Sequence, residues 1–489
     1  MKFRTVYLLL LLVLLLHLPF LDADPDKSVD IHTRGAWTDE GLYAAQARNF
    51  VNYGDFGLEE NTTFIRGPLF DIFRVPFFFI FGTHLQVART VTLVVVLLSL
   101  LILARNRDNH WLVIFLIILL LLQYRIFHFS HYAMAEMLSI AMVFVSYHFL
   151  SKYYKTSRPH HLLLACMLIF VAWGFKIQFL YLAALIPAVV VLYGGFQVYS
   201  QRMTRKNFAA GAIRSIFYSL IFPLVYLLAW YLPNQRFYDK VMFEQTVQRF
   251  DAWEKLSRTI DFNFTGLALD PANLNLALAV VLAVIFLILS AINREITFKN
   301  LLVMVFGGTW LLIETHKLGM TYLPQRYLLS FYTAAGFFSA AVLYQVFDQS
   351  RKLRYFLSAF LLGSVILSAT FYVDSFSERS WELKQVNSYM KNYVWDGQTV
   401  AGVWAPSVTW GTKARVIPVW SGYHDPATFF WKYNPQVIVE EPDEGTSELF
   451  FSNHGIDLAG MSDSVRYFDV WRYDLEVFWI NGTDESKEK

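Results

Sequence analysis

Apolar residues in this chain come in long blocks rather than in stripes. After Lys2 and Arg4 comes the first run, Val6 to Phe20. Further runs follow at about 84–104, 110–127, 132–150, 161–175, 177–195, 211–232, 272–292, 299–315, 326–347 and 353–373. A helix crosses the hydrocarbon of a bilayer with roughly 17–25 residues. A helix that is apolar all round has no face to give to water. The pattern therefore predicts an α-helical polytopic membrane protein with about eleven spans. The first run is at the short end and resembles the apolar core of a signal peptide. It is followed by Leu21-Asp-Ala-Asp rather than by a small-x-small cleavage pattern, and it is read as a retained helix.

The polar intervals add three elements. Residues 21–67 contain Gly35-Ala-Trp-Thr-Asp39-Glu40-Gly-Leu-Tyr43. Thr38 is a good N-cap, which puts Asp39 and Glu40 in a first helical turn, and Gly54 supplies a stop. Asp39, Tyr43, Ala47, Phe50 and Val51 share one face, so this helix is expected to lie along a membrane surface. The apolar piece from Gly67 to Gly82 is interrupted by Asp71, Arg74 and Pro76 and reads as interfacial or re-entrant. Beyond about residue 375 the chain is soluble in character. It predicts a helix at Glu378–Tyr393 and strands at Thr399–Val403, Val416–Trp420, Gln436–Glu440, Leu449–Ser452, Val465–Trp471 and Glu476–Ile480. The expected division is a membrane part, 1–374, and a small α/β domain, 375–489.

Charge sorts the loops. With the N-terminus cytoplasmic, the short basic loops all fall inside: Arg105 and Arg107, Lys152 to Arg158, Arg202 to Lys206, Arg294 and Lys299, and Arg351 to Arg354. The long polar segments then lie outside. Only 16% of residues are charged, against about 25% in soluble proteins. The net charge of +2 is uninformative, and nothing in the sequence suggests a nucleic-acid partner. A lone cysteine, Cys166, rules out an internal disulfide or a cysteine-built zinc site. Asn61, Asn263 and Asn481 open Asn-x-Thr triplets on the outer side, a pattern for which chance is the default explanation.

Several ionisable residues stand near outer helix ends: Arg66, Arg89, Glu136, Lys176, Lys317 and Arg326, the last followed by Tyr327. Singly, each is an ordinary interfacial anchor, because a long cationic side chain can snorkel to the headgroups. Together with Asp39 they converge on one side. A cationic cluster beside an ionised carboxylate suits a phosphate leaving group opposite a nucleophile that needs a base. The bland alternative keeps Asp39 and Glu40 as helix caps. His128, His131 and Glu136 have a spacing that could hold a metal, although packing is the commoner role; no cofactor is implied, and a divalent metal stays open. Trp37, Trp404 and Trp410 are candidates for stacking on sugar rings or for packing. No glycine-rich nucleotide loop is present, which turns attention from cytosolic nucleotides to a lipid-linked substrate.

Asp39-Glu40-x-x-Tyr43 with Ala47-Arg48 resembles the first outer loop of GT-C glycosyltransferases, in the protein O-mannosyltransferase and lipid A aminoarabinose transferase branch. Arg66-Gly-Pro-Leu-Phe70, Val87-Ala-Arg89, Glu136, Lys176 and Pro324-Gln-Arg326-Tyr327 follow in the family's order. The resemblance covers about residues 1–375. It implies a polyprenyl-phosphate sugar donor and an acceptor hydroxyl on a protein, a lipid or a glycan. It also implies Asp39 as base, with Glu40 beside it. Lys176 and Arg326 would hold the donor phosphate, with Arg66 and Arg89 as further candidates, and Tyr43, Glu136, Lys317 and Tyr327 would support them. Many relatives carry a basic Pro-Pro run where this chain has Arg66-Gly67-Pro68. The rival classes are a transporter or lipid flippase, for which half-chain repeats would be expected, and a scaffold whose tail binds a partner.

Overall fold

Helices form most of the chain up to Ser377, and the only sheet among the described residues comes after them. The computed structural model describes residues 2–29, 35–61, 67–237, 253–293, 299–320, 323–347, 349–420, 423–442 and 447–480. Seven helical segments among these are long and apolar enough to cross a membrane. They begin at Leu85, Ile177, Arg205, Pro271, Leu301, Gln325 and Arg351. The expected count of eleven is not reached on that criterion. Arg4–Phe20 and Pro159–Phe175 are shorter apolar helices. The 110–127 run breaks into His110–Leu116, a π-turn at Ile117–Leu121, and Tyr124–Phe129, whose N-terminus is capped by the Gln123 side chain. Ala135–Thr156 is a full-length helix that carries Glu136, Lys152 and Lys155 at its ends.

Helix α1 (Lys2–His17) packs into the bundle through Val6, Leu10 and Val13. Its end is pinned by His17, whose ring nitrogens meet the Val13 and Phe127 carbonyls at 2.7 and 2.9 Å. Helix α2 (Gly35–Tyr53) starts earlier than its sequence suggests. Thr38 is therefore not its cap, and Asp39 and Glu40 lie in its second turn. Gly54, at φ +73°, ends it as expected, donating its N–H to the Phe50 carbonyl at 2.8 Å. Nor does α2 lie on the membrane surface. It is buried on nearly every side, between the helical bundle and the C-terminal domain.

The Pro68–Phe81 helix is a single rod of 14 residues, about 21 Å long at 1.5 Å per residue and so shorter than a bilayer core. Its apolar side faces out: Phe79, Ile80 and Phe81 are largely exposed. Phe70, Asp71, Arg74 and Phe78 face inward, so the charges that marked it as interfacial are buried.

Beyond the Arg351–Ser377 helix, Glu382–Tyr393 leads into a five-stranded sheet in the order β2-β1-β3-β5-β4. The strands are β1 (Thr399–Ala401), β2 (Arg415–Ile417), β3 (Val437–Glu440), β4 (Ser462–Val470) and β5 (Tyr473–Ile480). The first three are parallel, while β5 runs antiparallel to β3 and β4. The expected strand at Leu449–Ser452 is instead a helical turn, Ser447–Ser452, which buries the adjacent Phe450 and Phe451 together. An apolar run that short carries no period to separate strand from helix.

Candidate active site

The site is built around α2, which is held on three sides by buried arginines. Arg48 reaches into the C-terminal domain, donating to the Pro406 and Thr409 carbonyls at 2.6 Å each and to Thr409 Oγ1 at 2.9 Å. Its guanidinium lies 4.7 Å from the centre of the Trp410 ring. Gly41 allows the close approach: a Cβ there would lie 2.5 Å from the Pro406 carbonyl carbon. On the bundle side, Glu40 and Arg89 make a forked ion pair, with Nε–Oε1 at 2.9 Å and Nη2–Oε2 at 2.5 Å. Glu40 also accepts the Ala133 N–H at 2.6 Å, and Arg89 donates to the Phe20 and Ala23 carbonyls at 2.9 and 2.5 Å. Below them, Arg74 is fully buried, its guanidinium 3.9 Å from the Phe70 ring. Burial pulls the Arg74 guanidinium down to about 9 and pushes the neighbouring Asp71 carboxyl up to about 7.

These restraints fix the direction of Asp39 and Tyr43. Asp39 Oδ2 lies 3.1 Å from Arg326 Nε, but off the angle of a hydrogen bond. Tyr43 accepts from Lys176 Nζ at 3.3 Å, and Lys176 is ion-paired with Glu136. The lysine ammonium also lies 4.9 Å from the Tyr327 ring centre. Lys176 follows the Pro159–Phe175 helix at a sharp extended break before a 3₁₀ turn. Gly67 packs against that break; a Cβ there would lie 2.3 Å from the Phe175 carbonyl oxygen. Gly67 is thus a point of backbone contact next to the lysine.

Sequence reasoning missed Glu314. It is fully buried and accepts from Tyr181 at 2.8 Å, Trp310 Nε1 at 3.1 Å and Ser330 at 2.9 Å, and it pairs with Lys317 at 2.9 Å. Lys317 in turn donates to the Tyr327 carbonyl at 2.6 Å, beside Arg326. A glutamate at i−3 from a lysine, inside an apolar run, was the available signal. Between these groups is a cavity of about 130 Å³, walled in part by Glu136, Gln178, Tyr181, Lys317, Arg326 and Tyr327.

The structure thus brings together Asp39, Tyr43, Glu136, Lys176, Lys317, Arg326 and Tyr327. It separates Glu40 and Arg89, which are locked to each other on another face of α2. Accessibility divides the two carboxylates: the Asp39 side chain is 13% exposed and that of Glu40 is 4%. Arg66 lies outside the described residues. The metal reading of His128, His131 and Glu136 does not hold, because Glu136 pairs with Lys176 while His128 meets Ser375 at 3.1 Å and Asp26 at 3.6 Å. Among the described residues no three His, Cys, Asp or Glu side chains gather as a metal site. Asn61 is buried, with its amide donating to Gln46 and to the Leu42 carbonyl at 2.7 and 3.1 Å, and the Asn263 amide is held by the Leu318 and Met320 carbonyls at 2.8 and 3.0 Å. Neither side-chain amide is free to be modified, and Asn481 lies outside the described residues.

No protein-family model matches the chain, and no curated protein sequence does. Solved structures do. ArnT from Cupriavidus metallidurans bound to undecaprenyl phosphate superposes with a TM-score of 0.59 at 14% identity, over 97% of this chain and 98% of that one. Its apo state gives 0.58 at 15% identity over the same shares. The chain has the ArnT fold. The match runs over nearly the whole of both chains rather than over one part of the fold. At this identity the likeness is one of fold.

Proposed function

We propose that the chain is a glycosyltransferase that moves a sugar from a polyprenyl-phosphate donor to an acceptor hydroxyl on the outer side of a plasma membrane. One observation carries the reading: a partly accessible carboxylate, Asp39, faces a cation, Arg326, at the edge of a cavity that Lys317 also lines. Lys176, paired with the cavity-lining Glu136, adds a further cation beside it. The ArnT fold supports it, since that protein has been crystallised with undecaprenyl phosphate.

In this reading the donor enters sideways, its prenyl chain between spans. Its phosphate competes with Asp39 for Arg326, and Lys176 supplies a further cation. The Arg326 guanidinium that pairs with Asp39 at 3.1 Å is the kind of group that binds phosphate oxygens, so the donor phosphate can take the carboxylate's place on it. Asp39 is then free to accept the proton of the acceptor hydroxyl. The hydroxyl oxygen bonds to the anomeric carbon as the bond from that carbon to the phosphate oxygen breaks. The lipid phosphate leaves with the electron pair and stays on the cations. A single displacement inverts the anomeric centre. The base is released only when a donor is present, which protects the site from acting on an acceptor alone. General-base assistance contributes about 10²–10⁴-fold; positioning and phosphate stabilisation supply the rest. Glu40 and Arg89 act here as positioning residues that hold α2.

The test is binding. Undecaprenyl phosphate should raise the melting temperature of the purified protein, and Arg326→Ala should lose most of that shift. An equal shift from the uncharged polyprenol, or none from the phosphate, contradicts a phosphate site.

A further inference from the structure

A second cavity, of about 180 Å³, lies against a different face of α2 from Asp39. It is formed where four parts of the fold meet: the loop after α1, α2 itself, the mouth of the Leu85–Ala104 helix, and the C-terminal domain. Its walls are built and held. Asp24 accepts from Ser380 Oγ at 2.9 Å and from the Glu382 and Leu383 N–H groups at 2.5 and 3.2 Å, tying the loop to the first turn of the terminal domain's helix. Asn387 accepts the Trp410 N–H at 2.6 Å and donates to the Ser407 carbonyl at 3.0 Å. Asp22 pairs with Lys384 at 2.7 Å, and Glu40 with Arg89.

Two indoles, Trp37 and Trp410, form part of the lining. Each is backed on one side: Trp37 stacks on Trp471 with centroids 5.5 Å apart, and Trp410 carries the Arg48 guanidinium. The Trp37 indole N–H is buried and has no hydrogen-bond partner among the described residues. A buried donor without an acceptor is costly. At the rim, His84 and Gln86 are exposed. Three carboxylates (Asp22, Asp24 and Glu40) stand against two cations (Arg89 and Lys384) in the lining, and each carboxylate is already neutralised or capped. That balance disfavours an anion such as a lipid phosphate. It suits an uncharged, hydroxyl-rich ring with an apolar C–H face to lay on an indole, and the volume holds one such ring.

We propose that this cavity is a binding subsite for an uncharged sugar ring, separate from the Asp39 cluster, with Trp37 and Gln86 among its hydrogen-bonding groups. Its use in holding an outlying sugar of a glycan acceptor rests on the transferase reading; the binding itself does not. Saturation-transfer NMR on the full-length protein, with methyl mannoside, methyl galactoside and N-acetylglucosamine as probes, tests it. At least one probe should bind saturably. Gln86→Ala and Trp37→Phe, each checked for an unchanged melting curve, should weaken it by about fivefold, the worth of one hydrogen bond. Asp39→Asn should bind it as the unaltered protein does. Saturable binding by none of the three probes overturns the proposal, as does equal affinity in both cavity variants. Loss of binding in Asp39→Asn also overturns it, because the sugar would then sit in the active site. Failure of the transferase reading alone would leave the probe binding and its dependence on Gln86 intact.

Discussion

Adjacent carboxylates on α2 have opposite duties, and substitution should separate them. Asp39→Asn removes a base and its charge while keeping the side chain's volume, at a side chain that is partly exposed rather than sealed in. The protein is expected to keep its melting temperature and to lose transfer by about 10²–10⁴-fold. Glu40→Gln leaves Arg89 as a buried, half-paired charge, a change of the kind that costs about 3–5 kcal/mol. Thermal unfolding should show that loss before any assay does; an Asp39→Asn protein that melts early, or a Glu40→Gln protein of normal stability, would reverse the assignment. Lys176 has both duties at once. Lys176→Ala alone strands Glu136, whereas Lys176→Ala with Glu136→Ala removes both charges. The double variant should regain stability over the single one while still failing to bind undecaprenyl phosphate. Recovery of phosphate binding along with stability would make Lys176 purely structural.

Among the elements, the Pro68–Phe81 helix is the one whose charges point the unexpected way. Burial, opposed by the Arg74 charge and the Ala47 N–H, raises the Asp71 carboxyl from an ordinary 3.8 to about 7. The folded chain then holds this proton more tightly than the unfolded chain does. Its contribution to stability is complete below about 4 and is lost as the pH rises through about 7. The melting temperature should fall across that window, and less steeply in Asp71→Asn; identical slopes would contradict a raised carboxyl. The sequence carried the positions of the long apolar helices and of five of its six expected strands clearly, because span length and alternation are local signals. It also carried the convergence of Lys176, Arg326 and Asp39 on one site. It could not carry the roles of Glu40 and Arg89, since a forked pair between residues 49 positions apart leaves no spacing to read. The burial of α2 was hidden for a related reason. Its second packing surface is the C-terminal domain, and contacts such as Arg48 with Pro406 span most of the chain. Only the small residues Gly41, Ala44, Ala45 and Ala47 hinted that something lies close on several sides.

On the scale of the whole molecule, α2 is the joint between a helical bundle and a sheet domain that docks on it. Ser407 Oγ donates to the Thr38 carbonyl at 3.0 Å, and Asn49 exchanges hydrogen bonds with the Val416 backbone at 3.1 and 3.2 Å. Gly41→Ala would force this interface apart at the Pro406 carbonyl that Arg48 also grips. Limited proteolysis should then cut near residues 378–382 faster than in the unaltered protein, with transfer reduced; an unchanged digestion pattern would mean that the docking tolerates a Cβ. The central claim is that this joint presents Asp39 to a lipid-phosphate-bound sugar. Its most direct test is sugar release from a panel of radiolabelled polyprenyl-phosphate sugars, in membranes containing the unaltered protein or Asp39→Asn. The account predicts release from at least one donor by the unaltered protein and almost none by the variant. Equal release by both would contradict it.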